Sequence, residues 1–203
     1  MSSSKSLAAL PLVIVALLVL AGCSAEKPSE LTTPDAPPPV PTASTTPTPE
    51  PLSFTAPTEC STIVPQSRLA EFETEGLVLL GGPGGKYPDY LQDATPEEQA
   101  GGISCIWGFA DSEVSSVTIS VAPLSGATRP DIVESFAAQG LNEATTADGT
   151  AFTLQGDRTL DPAIINVLRG DSWISTLFRS LGGTESYREA ELISTEVYAS
   201  VYK

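Results

Sequence analysis

Histidine is missing from all 203 residues. That removes Ser-His-Asp and Cys-His catalysis, and with them the zinc sites that depend on imidazole ligands. Positive charge is scarce as well: 10 Lys and Arg stand against 25 Asp and Glu, for a net charge of −15. Nucleic acid and anionic head groups would be repelled, so neither is expected as a partner. The acidic residues are scattered, which is the pattern of a solvated surface. Long apolar runs are also lacking. Residues 7–20 are apolar apart from Pro11, a stretch shorter than the roughly 20 residues that cross a bilayer.

What the N-terminus does contain has the parts of a signal peptide: Lys5 as the positive n-region, residues 7–20 as the h-region, and small residues before Cys23. Leu20-Ala21-Gly22-Cys23 looks like a lipobox, the mark of bacterial lipoproteins. The motif implies cleavage after Gly22 and a diacylglyceryl thioether on Cys23. Two acyl chains, at about 0.8 kcal/mol per buried methylene, suffice for stable anchoring. Residues 1–22 are therefore read as a leader. The mature chain is read as lipid-anchored through Cys23 to the extracytoplasmic face of the cell membrane.

Residues 23–57 follow as the lipidated cysteine and a stalk. After Cys23 the stalk holds 10 prolines in 34 residues, with Thr, Ser and Ala between them. This composition cannot bury a core and favours an extended, disordered chain of polyproline II type. At about 3.1 Å per residue it would reach on the order of 100 Å. A single domain is expected over residues 58–203, long enough for one core.

With Cys23 spent on lipid, Cys60 and Cys105 remain. An even pair in an exported chain points to a disulfide. A two-thiol metal site is the alternative, but the pair has no histidine beside it and its spacing does not suit zinc.

Periodicity sets out the domain. Residues 65–75 read as a helix with Leu69 and Phe72 on one face. Residues 103–109 and 116–124 read as strands; in the second, Val117, Ile119 and Val121 alternate with Thr118 and Ser120. Residues 130–139 make a helix, with Pro130 and Asp131 at its start and Gly140 beyond its end. Strands follow near residues 151–154, 163–168 and 173–178, the last two joined by a turn at Arg169-Gly170-Asp171-Ser172. A final helix starts near Glu185, with Ala190, Ile193, Val197 and Val201 in a stripe. Residues 76–102 read mainly as loop. The expectation is an α+β fold, an antiparallel sheet of about five strands with helices packed on one face and one disulfide.

Candidate chemistry is thin. Gly170-Asp171-Ser172 superficially matches the start of an esterase motif, but such enzymes need a histidine base. Gly81-Gly82-Pro83-Gly84-Gly85-Lys86 fails as a phosphate loop, because position 80 is Leu, position 87 is Tyr, and Pro83 has no amide hydrogen to give. Arg169-Gly170-Asp171 matches an adhesion tripeptide but is ordinary turn chemistry. Glu97-Glu98 and Asp111/Glu113 read as solvated charge rather than a converging acid pair. Trp107 and Trp173 read as core. No catalytic residue, metal site or cofactor is expected.

Thr58-Glu59-Cys60, the amphipathic helix after it, and Cys105-Ile106-Trp107 on a strand complete a recognisable layout. Together with the lipobox and stalk, the chain resembles small actinobacterial lipoproteins of a domain-of-unknown-function family. The resemblance spans the whole chain. It implies the Cys60–Cys105 bridge and no enzymatic activity. The expected role is a non-catalytic binding or sensing module of the cell envelope that meets an envelope protein or a ligand. The alternative is a small carrier of a lipid or other apolar ligand.

Overall fold

The alternating strands assemble as expected, with additional members. β1 (Leu77–Gly81), β2 (Ile103–Phe109), β3 (Val117–Pro123), β4 (Asn142–Thr146), β5 (Gly149–Leu154), β6 (Ala163–Leu168) and β7 (Ser172–Phe178) form one sheet in the order β1-β2-β3-β7-β6-β5-β4. Every pairing is antiparallel. The helices are α1 (Gln66–Thr74), α2 (Pro96–Gln99), α3 (Arg129–Ala138) and α4 (Gly183–Val201), with a 3-10 turn at Cys60–Thr62. The computed structural model describes residues 51–87, 90–111, 115–146, 149–157, 161–179 and 183–203. The expected leader, Cys23 and the stalk as far as residue 50 lie outside the described residues. No described helix is long and apolar enough to cross a membrane.

Two meanders, β1-β2-β3 and β4-β5-β6-β7, meet along β3 and β7. On one face Ile119 and Val121 of β3, Ile165 of β6 and Ile174 of β7 pack with Phe72 of α1 and with Ile193 and Val197 of α4. Trp107 belongs to this cluster and lies 5.2 Å from the Phe72 ring. On the opposite face Phe152, Leu168 and Trp173 pack with Phe136, Ile132 and Val133 of α3. The helices therefore cover both faces, not one. The chain leaves β3 on one side, builds α3 as it crosses to the far edge strand β4, and returns through α4 on the other side. The stripe on a helix shows that it packs, but not on which side of the sheet.

Among the described residues the sheet has seven strands, not about five. β1 lies in a stretch expected to be loop, where a short apolar run among glycines carries no alternation. β4 is exposed along its length and polar, so burial leaves no pattern on it. α2 was missed for its brevity, although Thr95-Pro96-Glu97-Glu98 carries its signature: the Thr95 hydroxyl accepts from Glu98 N, and the Glu98 side chain accepts from Thr95 N. α3 ends as expected. Gly140 takes φ +75°, its amide reaches Ala137 O, and Leu141 N reaches Phe136 O at 3.1 Å.

The N-terminal end of the described chain is tied to the C-terminus. Ser53 N donates to Lys203 O at 2.9 Å and Thr55 N to Val201 O at 2.8 Å. Phe54 stacks on Tyr202 with ring centroids 5.6 Å apart.

Candidate functional site: a cleft over a polar row of the sheet

α2 and α3 stand apart on the same face of the sheet and leave a cleft of about 490 Å³ between them. A row of small polar side chains runs across the sheet here, with Ser120, Ser175 and Asn166 on the floor of the cleft and Ser104 in a smaller adjoining hollow. Ser104 of β2 lies opposite Ser120 of β3, Ser120 opposite Ser175 of β7, and Ser175 opposite Asn166 of β6. Residues in register across a sheet point to the same side, so the four stand in line. They are 1%, 2%, 2% and 4% exposed in that order. Ile106, Ile132, Phe136, Ile164 and Leu177 surround the row with apolar surface.

The polar groups of the row have hydrogen-bond partners, two of them each other. Ser104 Oγ bonds Ser120 Oγ at 2.8 Å and Thr95 Oγ1 at 2.7 Å. Trp173 Nε1 donates to Asn166 Oδ1 at 2.9 Å. Glu97 of α2 lies over this network and is only 7% exposed. Burial pushes its carboxyl above the ordinary 4.5, and the charge on Glu98 adds to the push. Its own backbone amide and the Ser175 and Thr95 hydroxyls bond to the carboxylate and pull the other way without prevailing. Among the described residues no lysine or arginine pairs with Glu97. A carboxyl buried this way, inside a pocket with converging hydroxyl groups, has the chemistry of a binding site.

The residues singled out from sequence have other roles. Cys60 and Cys105 form the disulfide, both fully buried, with Cα atoms 5.6 Å apart. The glycine-rich loop packs against that bridge. A Cβ on Gly82 would lie 2.1 Å from Ser104 O and 3.0 Å from Cys60 Sγ, and φ there is +93°. Close approach, and not phosphate, accounts for this glycine. Arg169-Gly170-Asp171-Ser172 closes the β6–β7 hairpin, with Arg169 N donating to Ser172 O at 2.9 Å. Its side chains are committed to α4 and the residue beyond it. Arg169 lies 3.8 Å from the Tyr198 ring, the Tyr202 hydroxyl donates to Asp171 Oδ1 at 2.5 Å, and Ser172 Oγ bonds Tyr202 at 2.6 Å. Ser172 is fully buried, so no substrate reaches it. Trp107 and Trp173 are both 4% exposed, as core residues should be.

Asp111 is exposed, and its suggested companion Glu113 lies outside the described residues. Glu97 corrects the expectation of solvated charge, because α2 folds it inward over β7. Among the described residues no group of His, Cys, Asp or Glu could hold a metal ion. The polar row was the feature missed. Its trace in the sequence is that the residues facing away from the core stripe of β3 are Thr118 and Ser120, short hydroxyls and not the charged side chains usual on a wet face.

Compared with known proteins, the chain matches no family model, no curated protein and no solved structure.

Proposed function

We propose that the protein is an exported, lipid-anchored binding module of the bacterial cell envelope, and that its folded unit holds a small ligand in the cleft between α2 and α3. One observation carries the reading: a cleft of about 490 Å³ with the buried Ser120, Ser175 and Asn166 on its floor and Glu97 above them. Pockets of this size, apolar in their walls with a few convergent polar groups, are the common form of small-molecule sites. The lipobox ending at Cys23 and the proline-rich stalk support the location, since a stalk gives a surface module reach.

Native mass spectrometry of residues 48–203 tests the site. That span keeps the whole compact unit, including the pairing of Ser53 with Lys203. An added mass that denaturation releases, and that Ile132→Trp removes by filling the cleft, is the expected result. A mass that is always bare overturns the small-ligand reading in favour of protein recognition. A second reading, a carrier of an apolar ligand, draws on a cavity of about 290 Å³ on the other face, lined by Ala151, Ile165, Val167, Tyr187 and Tyr198. Under it the added mass survives Ile132→Trp. The anchor is tested by labelled fatty acid: wild type takes up the label and Cys23→Ser does not, and label retained in the variant refutes the lipid on Cys23.

A further inference from the structure

Among the described residues, charge around the cleft is of one sign: Glu97 and Asp131 belong to its lining, and no described Lys or Arg does. A smaller hollow of about 110 Å³ adjoins it, sharing Tyr90, Leu91 and Ile106, and contributes Asp93 and Glu98, again with no cation. An anionic ligand, whether carboxylate or phosphate, would enter this site against four carboxylates with no positive group among the described residues to meet it. The protein's net charge of −15 deepens the same field. The walls, by contrast, suit a hydrocarbon or aromatic body: Ile132 and Phe136 on one side, Ile106 and Leu177 on the sheet. Tyr90 and Trp173 also belong to the lining.

Resting on the cleft reading above, we propose that the ligand is an organic cation, a protonated amine carried on an apolar or aromatic body, with Glu97 as its counter-ion and Asp131 at the entrance. The charge, the depth and the wall chemistry each select this class. The ammonium supplies a positive partner that no described lysine or arginine gives Glu97, and its N–H groups find acceptors in the carboxylate and in the Ser120 and Ser175 hydroxyls. The body displaces water from apolar walls.

The test uses three probes of nearly equal size and different charge: 2-phenylethylamine, 2-phenylethanol and 3-phenylpropionate. Each is titrated calorimetrically into the full chain held in phosphatidylcholine nanodiscs, with empty discs subtracted. The amine is expected to bind about tenfold or more tighter than the alcohol, and the carboxylate weakest. Glu97→Gln should remove the preference for the amine over the alcohol, and Ile132→Trp should abolish binding of all three. Equal binding of amine and alcohol to wild type, or a preference that survives Glu97→Gln, overturns the cation and leaves the cleft standing. Amine binding that survives Ile132→Trp places the ligand elsewhere and overturns the cleft itself. Failure of all three probes to bind wild type overturns the proposed ligand class.

Discussion

Arg68 donates its Nε hydrogen to Glu196 Oε2 at 2.6 Å, joining α1 to α4 across 128 residues of chain. The same guanidinium reaches Glu189 at 2.6 Å and Glu71 at 2.9 Å. Arg68 is 6% exposed, with Phe72 beside it. Burial opposes its charge, but the bonds to Glu196 and the charges of Glu196, Glu189 and Glu71 outweigh burial and raise its pKa above the usual guanidinium range. One arginine thus holds two helices against the sheet by charge as well as by packing.

Removing that arginine strands two carboxylates that are each 25% exposed. Arg68→Met is expected to cost about 2–4 kcal/mol, somewhat below the full effect of breaking a buried pair. Urea unfolding measures it. A loss under about 0.5 kcal/mol would mean that the pair contributes no more than a surface one.

The Cys60–Cys105 bridge fastens the 3-10 turn before α1 to the middle of β2, across a separation of 45 residues. Replacing both cysteines with serine should lower stability by some 2–5 kcal/mol. Oxidised wild type and the double variant are compared by thermal melting, and equal midpoints would show that the bridge is without effect.

Gly82 packs on that bridge with φ +93°. Gly82→Ala puts a methyl group 2.1 Å from Ser104 O, so backbone must move. The expected loss is about 2 kcal/mol or more, from the left-handed conformation and the overpacking together. Gly170→Ala in the hairpin turn serves as the control, since nothing lies within 4 Å of the added carbon. If both variants melt alike, the packing explanation for Gly82 is wrong.

Tyr202 titrates late. Burial pushes its hydroxyl up to about 12, helped by the hydrogen bond to Asp171, while Ser172 pulls the other way. Spectroscopic titration of the five tyrosines should show one ionising near pH 12 and absent from Tyr202→Phe. Because the folded state holds this proton more tightly than the unfolded chain, the stability it supplies is complete below pH 10 and is lost as pH rises through about 12.

Glu97 has the same sign at lower pH. Its folded carboxyl sits above the ordinary 4.5, so the native state binds the proton more tightly. The resulting stability is full below about pH 4.5 and is lost as pH rises through the folded pKa. Glu97→Gln should therefore be as stable as wild type or more so at neutral pH, and its melting temperature should fall less between pH 4 and pH 8. A parallel pH profile in the two proteins would remove Glu97 from the account. Extra stability from losing a charged group is the usual mark of a side chain kept for binding.

Much of the fold was legible in the chain. The stripes of α1 and α4, the punctuation of α3 by Pro130 and Gly140, and the alternation of β3 all stand close to where the pattern placed them. These signals are local, and each repeats within a few residues. β4 escaped because Asn142–Thr146 is exposed throughout, and periodicity records burial rather than hydrogen bonding. β1 escaped because Leu77–Gly81 is too short and too near glycines to show a period.

The sequence by itself determined which residues share a face, where the longer helices lie, and that no histidine chemistry is possible. Tertiary structure alone decided that the sheet is covered on both sides, that Ser104, Ser120, Ser175 and Asn166 fall into one line, and that Glu97 is folded in over them. Alternation along a strand separates one face from the other, but it does not say whether the second face meets water or a helix. That depends on α3 crossing the sheet and on α2 folding back over it, contacts between segments far apart in the chain.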